Sequence, residues 1–487
     1  MVLADGVTSP PEITRRSVGL RSERGPILLS VMLSTGLVAI DSTILATAVP
    51  ALVADIGGFA QFPWLFSIYL LAQAVMVPVY GKLSDIYGRK PIMLLGVGLF
   101  VAGSILCGLA WNMPALIVFR AIQGLGAGAI LPTGMTIIGD LYTLAERAKV
   151  QGYVASVWAI SAVVGPTLGG LFVDFLNWRW IFFVNIPLGA LAALFLIRRF
   201  RESPVPRTHR VDVAGAILLT IAGTAIILGL LEGGVLWAWR SAPSLAVFAV
   251  GICALVAFVA VERRAQEPVL PGWIFTERLL NSTNLANFIA GVAILGLTSY
   301  VPLHAQNVLG HSALVAGFAL AAMSVGWPLA ATLSGRVYLS IGFRATAVIG
   351  AAITFAGTLL LVPLSPSSSI GYVAAACFVI GLGMGSTVSP ALIAAQTGYP
   401  RRTRGTVTGA AIFCRSIGSA VGVAAFGAVV NAILAARLGS GHHDAESVAA
   451  ADLASAIHGV FVASAITAAL LVLAALTIPG HVAEATD

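Results

Sequence analysis

The sequence predicts an all-α polytopic membrane protein, and three observations predict it. Of 487 residues, 58% are hydrophobic and 10% charged, against about 45–50% apolar and about 25% charged in soluble domains. The apolar residues gather into fourteen runs, each near the roughly 20 residues that a membrane helix needs. Basic residues fall in alternate connections between those runs, as the positive-inside rule requires.

This composition excludes an ordinary soluble enzyme, and with Gly at 52 and Asp plus Glu at 20 the chain is neither collagen-like nor an acidic disordered tail. The net charge of +7 would suggest nucleic acid if it clustered on a soluble domain. Here the cations sit in short loops, so the expected partners are membrane lipids and a small substrate. Neither a nucleic acid nor an obligate protein partner is expected.

The runs lie roughly at 27–50, 64–82, 91–110, 114–138, 150–173, 180–198, 212–231, 243–262, 279–303, 313–335, 345–363, 370–396, 406–434 and 453–478. The tail 1–26 carries Arg15, Arg16, Arg21 and Arg24, and the run after it is longer than a signal-peptide core and lacks a small-residue cleavage site. Span 1 is therefore expected to stay in the membrane. With the N-terminus inside, 22 of the 27 Lys and Arg fall on the inner side. Outer loops keep Arg179, Arg240 and Arg437, while Arg120 and Arg415 lie inside spans. The expected location is the cytoplasmic (inner) membrane of a bacterium, with both termini cytoplasmic.

The basic inner loop 199–211 most naturally closes a first unit. The expected organisation is a tail at 1–26, a six-helix half at 27–198 and a linker with two inserted helices at 199–278. A second six-helix half at 279–478 and a tail at 479–487 follow. Cys107, Cys253, Cys377 and Cys414 lie in apolar runs without CxxC spacing and are expected to be buried and reduced. His304, His311, His442 and His443 are expected in solvated outer loops, without the other ligands of a metal site.

Between spans 2 and 3 the sequence reads Gly81-Lys82-Leu83-Ser84-Asp85-Ile86-Tyr87-Gly88-Arg89-Lys90, expected as a tight loop. It resembles motif A of the major facilitator superfamily. The resemblance implies gating roles for Gly81, Asp85, Gly88, Arg89 and Lys90, with the Asp capping a helix of the opposite half and the Arg pairing with Asp140 at the inner end of span 4. A second copy, Gly335-Arg336-Val337-Tyr338-Leu339-Ser340-Ile341-Gly342-Phe343-Arg344, keeps the glycine spacing but has Leu339 in place of the Asp. Such a repeat is expected of two halves related by an axis along the membrane normal.

Span 4 contains Arg120-Ala121-Ile122-Gln123-Gly124-Leu125-Gly126-Ala127-Gly128, which resembles motif B. A charge there is costly and needs a partner, and Asp41 is the only acid well inside any span. At about 1.5 Å per residue the two lie at compatible depths. Desolvation favours a protonated carboxyl and a neighbouring guanidinium favours the charged one, so the pair is a candidate for reversible proton binding. A packing salt bridge is the alternative. The glycine run is no nucleotide loop, because no strand precedes it and no Lys-Ser/Thr follows. No cofactor is expected; the energy source is an ion gradient with the proton as coupling ion, worth about 2.3 kcal/mol per charge per 100 mV.

Span 5 holds Gly165-Pro166-Thr167-Leu168-Gly169-Gly170, which resembles motif C, the antiporter signature of superfamily exporters; glycine-rich helix packing is the plainer reading. It precedes Asn177-Trp178-Arg179-Trp180-Ile181-Phe182-Phe183-Val184-Asn185-Ile186-Pro187. Together with the span count and Asp41, this is similar to the fourteen-span drug:proton antiporter family. The resemblance covers about 27–478 and implies the major facilitator fold, two six-helix halves with spans 7 and 8 inserted. Arg404-Gly405-Thr406-Val407-Thr408-Gly409 and Arg415-Ser416-Ile417-Gly418-Ser419-Ala420-Val421-Gly422 resemble that family's span 13, whose inner end Asp85 would cap.

The resemblance also implies a cavity lined by spans 1, 4, 9 and 12 and a sliding interface of spans 2, 5, 10 and 13. Candidate cavity residues are Gln123, Asn284, Asn287, Ser386 and Gln396, each equally explicable as a packing residue, with Trp158 and Trp327 as packing neighbours. Arg415 either meets an anionic group of the substrate or bonds backbone carbonyls. With Asp41, Arg120 and Arg415 as the deep charges, a dicationic substrate is disfavoured. The leading expectation is proton-coupled efflux of hydrophobic or amphiphilic molecules by a secondary transporter, not an enzyme. Alternatives are export of an endogenous amphiphile, such as a lipid, siderophore or self-made antibiotic, an importing symporter, and a membrane receptor or enzyme.

Overall fold

The computed structural model describes residues 18–57, 64–202, 212–233, 237–266, 268–438 and 450–483. The tail residues 1–17 and 484–487, the loop arginines Arg207 and Arg210, and His442 and His443 lie outside the described residues. Among the described residues, fourteen helices are long and apolar enough to cross a membrane. They are α1 (Gly25–Ile56), α2 (Trp64–Tyr87), α3 (Arg89–Gly108), α4 (Met113–Leu141), α5 (Leu144–Phe175), α6 (Asn185–Arg199) and α7 (Val213–Glu232). The chain continues through α8 (Ala242–Glu262), α9 (Arg278–Asn307), α10 (Ala313–Ile341), α11 (Phe343–Leu361), α12 (Ile370–Thr397), α13 (Arg404–Leu438) and α14 (Ala450–Thr477). A single turn, Trp180–Phe183, leads into α6, and the two together make the 20-residue span Trp180–Arg199.

Helices begin where a short polar side chain meets an apolar run. Asn112 accepts from the Ala115 amide at 2.8 Å before α4, and Thr143 and Glu146 form a capping box at α5. The Gly81–Lys90 segment is not the loop that the sequence suggests. Residues through Tyr87 complete α2, Arg89 opens α3, and Gly88 alone joins them at φ +97°. Gly342 makes the equivalent turn between α10 and α11 at φ +87°, a backbone region in which only glycine is unstrained.

Lipid is as apolar as a leucine side chain, so membrane helices associate through close packing of small residues. In α4 the glycine run grips two helices. Gly124 and Gly128 face the Tyr69 and Gln73 carbonyls of α2, whereas Gly126 faces Gly96 and Phe100 of α3. The pairings α1–α5, α2–α4, α3–α4 and α1–α6 recur eight helices later as α9–α13, α10–α12, α11–α12 and α9–α14. This repeat is the signature of two six-helix halves. The halves meet chiefly along two seams, α2 with α13 and α5 with α10. The inserted α7 and α8 pack on each other, and α7 covers the first seam, lying against both α2 and α13. There Leu219 and Phe258 join Val77, Val79, Ile412 and Phe413 in one apolar cluster.

The expectations for the cysteines and for His304 also need correction. All four cysteines are free, but Cys253 is exposed and Cys414 half-buried; an apolar run in a bilayer protein does not imply burial, because part of each helix faces lipid. His304 is no loop residue: α9 extends past it, and its ring is buried against Phe461 with centroids 5.5 Å apart.

Gly126 supplies a stability test. A Cβ there would lie 2.7 Å from the Gly96 carbonyl oxygen and 2.8 Å from the Phe100 Cα. Gly126→Leu is expected to cost at least the ~1–3 kcal/mol of ordinary overpacking. Gly98→Leu, where nothing lies within 4 Å, is expected to cost little, and thermal midpoints in one detergent compare the two.

Candidate functional site

In the first half five helices bring polar side chains to one buried point. Arg120 of α4 and Asp41 of α1 are each 1% exposed, and Arg120 Nη1 lies 2.6 Å from Asp41 Oδ2. Gln123, one turn along α4, donates to Asp41 Oδ1 at 2.7 Å and to Ser104 Oγ of α3 at 2.8 Å. Its Oε1 accepts from Arg120 at 2.6 Å. Arg120 Nε donates to the Leu65 carbonyl of α2 at 3.1 Å, and its guanidinium carbon lies 4.2 Å from the Tyr69 ring centroid, a cation–π contact. Asn185, at the start of α6, donates to Ser104 at 3.2 Å and to Asp41 Oδ1 at 3.5 Å. Among the described residues, Asn185 Oδ1 and the Tyr69 hydroxyl are buried without a hydrogen bond.

A second cluster lies where the α2–α3, α4–α5 and α12–α13 turns meet, here termed the basic face. Asp85 accepts from the Gly405 and Thr406 amides at 2.9 and 2.7 Å and from Thr406 Oγ1 at 2.8 Å. A carboxylate so placed satisfies orphan N–H groups of the α13 N-terminus and meets its positive dipole end. Arg89 holds Asp85 at 3.0 Å and Asp140 at 2.8 Å, and donates to the Arg401 carbonyl across the seam. Asp140 is shared further with Arg401 and Arg404, each at 3.3 Å. Lys90 Nζ donates to the Ile197 and Phe200 carbonyls at the end of α6. Glu202 accepts from the Arg89 and Lys90 amides at 3.0 Å each. Gly81 and Gly88 fill close approaches, the first against the Gly405 carbonyl and the second against Glu202.

The Gly165–Gly170 segment packs α5 on α1 beside Asp41. A Cβ on Gly165 would collide with Thr43 Oγ1, which itself donates to the Ser161 carbonyl at 2.9 Å. Gly169 is buried and Gly170 half-buried with open space around it; Pro166 lies within α5, its side chain outside the described ones. On the opposite face Asp55 accepts from Trp178 Nε1 at 2.9 Å and pairs with Arg179 at 2.6 Å. The Trp178 hydrogen bond, then the Arg179 one, holds its carboxyl below the usual range.

The second-half candidates do not converge in this way. Asn287 donates to the Thr283 carbonyl of its own helix at 2.9 Å. Asn284 is buried with neither amide atom bonded. Gln396 bridges the halves, donating to the Met135 carbonyl at 3.4 Å and to Thr408 Oγ1 at 2.9 Å. Ser386 is half-buried against Gly350, and Arg415 is half-buried with no ion pair or hydrogen bond among the described residues. Trp327 is half-buried, whereas Trp158 is 39% exposed rather than packed.

Sequence reasoning did not select Asn185, Ser104, Tyr69, Asp55 or Glu202. Asn185 stood inside a quoted motif, yet a single polar residue carries no sign of its partner. Removing one member of a buried pair leaves an uncompensated charge, at about 3–5 kcal/mol. Arg120→Met is therefore expected to destabilise the protein by that order, and Asp41→Leu/Arg120→Met to recover most of it. Thermal midpoints in one detergent check both, and an Arg120→Met protein as stable as wild type would contradict the arrangement.

The profile of the Major Facilitator Superfamily matches residues 31–423. Multidrug transporter protein MdtP of Bacillus subtilis is 34% identical over 414 residues, covering 85% of this chain and 76% of that protein. Multidrug resistance protein 3 of the same organism is 36% identical over 412 residues, covering 85% and 80%. Efflux pump dotC of Dothistroma septosporum is 33% identical over 409 residues, covering 82% and 70%. With fourteen membrane-capable helices in two repeated halves, this chain belongs to the major facilitator superfamily and is a multi-pass membrane transporter.

Proposed function

We propose that the chain exports hydrophobic or amphiphilic small molecules, drugs among them, across the cytoplasmic membrane in exchange for protons by alternating access, with both termini cytoplasmic. The Asp41 environment carries this reading. Arg120 donates to Oδ2 of the carboxylate, and Gln123 and, at 3.5 Å, Asn185 donate to Oδ1, so a proton arriving there weakens the charge that holds Arg120. The buried Asn185 Oδ1 has no donor of its own, and rotation of that amide offers the protonated acid an acceptor in place of Arg120. Protonation then breaks the ion pair and leaves the Arg120 guanidinium on Gln123 Oε1 and the Leu65 carbonyl alone. If the two transport states solvate that cation differently, one proton shifts their balance.

The basic-face cluster supports the second half of the cycle. Asp85, Arg89 and Asp140 tie α2, α3 and α4 to the α12–α13 turn, and Leu144 of α5 packs on Tyr338 and Ile393 of the other half. We read this as the state closed to the cytoplasm. The relatives' names, a multidrug transporter, a multidrug resistance protein and an efflux pump, support export of varied compounds. Arg415, a deep cation without an ion pair among the described residues, favours amphiphiles bearing an anionic group over dications, which keeps export of an endogenous amphiphile in view.

Two outcomes follow. In an efflux-deficient bacterium the protein is expected to lower accumulation of a lipophilic monocationic dye, and either a protonophore or Asp41→Asn at matched membrane levels is expected to abolish that. Extrusion unaffected by Asp41→Asn would remove the residue from the coupling step. Asp85→Ala strips three hydrogen bonds from α13 and is expected to open the basic face. Maleimide labelling of Gln396→Cys from the cytoplasmic side is then expected to rise severalfold.

A further inference from the structure

The two seams between the halves are unequal. At α2–α13 the clasp of Asp85 on α13 closes the basic end, and the α7–α8 pair covers the flank. At α5–α10 the repeat puts Leu339 where Asp85 would stand, and Leu339 is exposed. The α5 N-terminus is capped by its own Thr143 and Glu146 instead. No acid from α10 reaches across, and a cavity of about 560 Å³ opens between Lys149, Tyr153 and Ser156 of α5 and Thr332, Leu333 and Arg336 of α10.

This cavity opens between two exposed apolar helix faces. Lys149, Tyr153 and Ser156 continue at helical spacing into the exposed Ile160 and Val163, and Arg336 continues into the exposed Leu333, Leu329 and Val325. Lys149 lies five residues from the start of α5, and Arg336 five from the end of α10, so both sit about 8 Å inside their helix ends. That is snorkelling depth at the bilayer interface. Among the described residues neither cation has an ion pair or hydrogen bond. The nearby acids are already engaged, Glu146 by Arg24 at 2.5 Å and Asp140 by Arg89, Arg401 and Arg404.

We propose that this groove is a binding site for one anionic phospholipid. The phosphate sits between Lys149 and Arg336, the Tyr153 side chain lines the groove beneath it, and the acyl chains lie along the apolar α5 and α10 faces. Two unpaired cations above an apolar strip match that occupant in charge and shape. A phosphatidylglycerol occupies a seam that has no protein clasp of its own.

The test uses the full chain in phosphatidylcholine nanodiscs carrying increasing phosphatidylglycerol, followed by detergent extraction and native mass spectrometry of retained lipid. Wild type is expected to retain one phosphatidylglycerol in preference to phosphatidylcholine. K149Q/R336Q is expected to lose that preference about tenfold, whereas K149R/R336K keeps it. R263Q/R344Q, which removes two exposed basic residues outside the groove, is expected to behave as wild type. Equal loss in K149Q/R336Q and R263Q/R344Q, or no preference in wild type, would overturn the site. Dye transport is not read, so the outcome stands apart from the proposed function.

Discussion

The first half is organised by one constraint, the burial of the Asp41–Arg120 ion pair. Taking two charges out of water is costly, and their attraction offsets that cost only when the remaining donors and acceptors are also met. Meeting them draws in Leu65 of α2, Ser104 of α3, Gln123 of α4 and Asn185 of α6 around Asp41 of α1. These groups come within hydrogen-bonding distance because α4 is stripped to glycine on the faces that meet α2 and α3. The glycine run and the buried charges are therefore one device. The pair makes a poor source of stability, since a hydrophobic replacement of equal volume often serves as well, which points to a use other than holding the fold.

The same logic distinguishes the two halves. Helix α13 takes the cap of its N-terminus from Asp85 in the other half, so whether that end of the helix is satisfied depends on how the halves are placed. Helix α5, its counterpart eight helices earlier, carries its own capping box and owes nothing to α10. One seam thus senses the relative position of the halves and the other does not. The second motif copy has Leu339 where the first has Asp85, so it supplies no cap across the α5–α10 seam.

Much of this was legible in the chain because bilayer physics is written in long stretches. Fourteen runs, the alternation of cations, and the depths of Asp41 and Arg120 needed only counting. The partnership of Asp85 with Gly405 and Thr406, across more than 300 residues, came from the resemblance and not from spacing. Single polar residues resisted reading. Asn185 and Ser104 look like any helix-packing amide or hydroxyl until the fold places them on one carboxylate. Hydropathy does not place Cys253, which is exposed, because it reports what a helix can dissolve in, and lipid serves as well as a protein core. His304 was misread because the run of hydropathy ended before the helix did.

The proposed coupling turns on one carboxylate, Asp41, exchanging its proton as substrate moves. The direct measurement is a proteoliposome with a trapped pH indicator, into which a lipophilic dye gradient is imposed across wild-type protein or Asp41→Asn. The account predicts that dye movement drives an opposite proton flux in wild type, and that Asp41→Asn, while still binding dye, moves no protons with it. Proton flux per dye molecule unchanged in Asp41→Asn would contradict it.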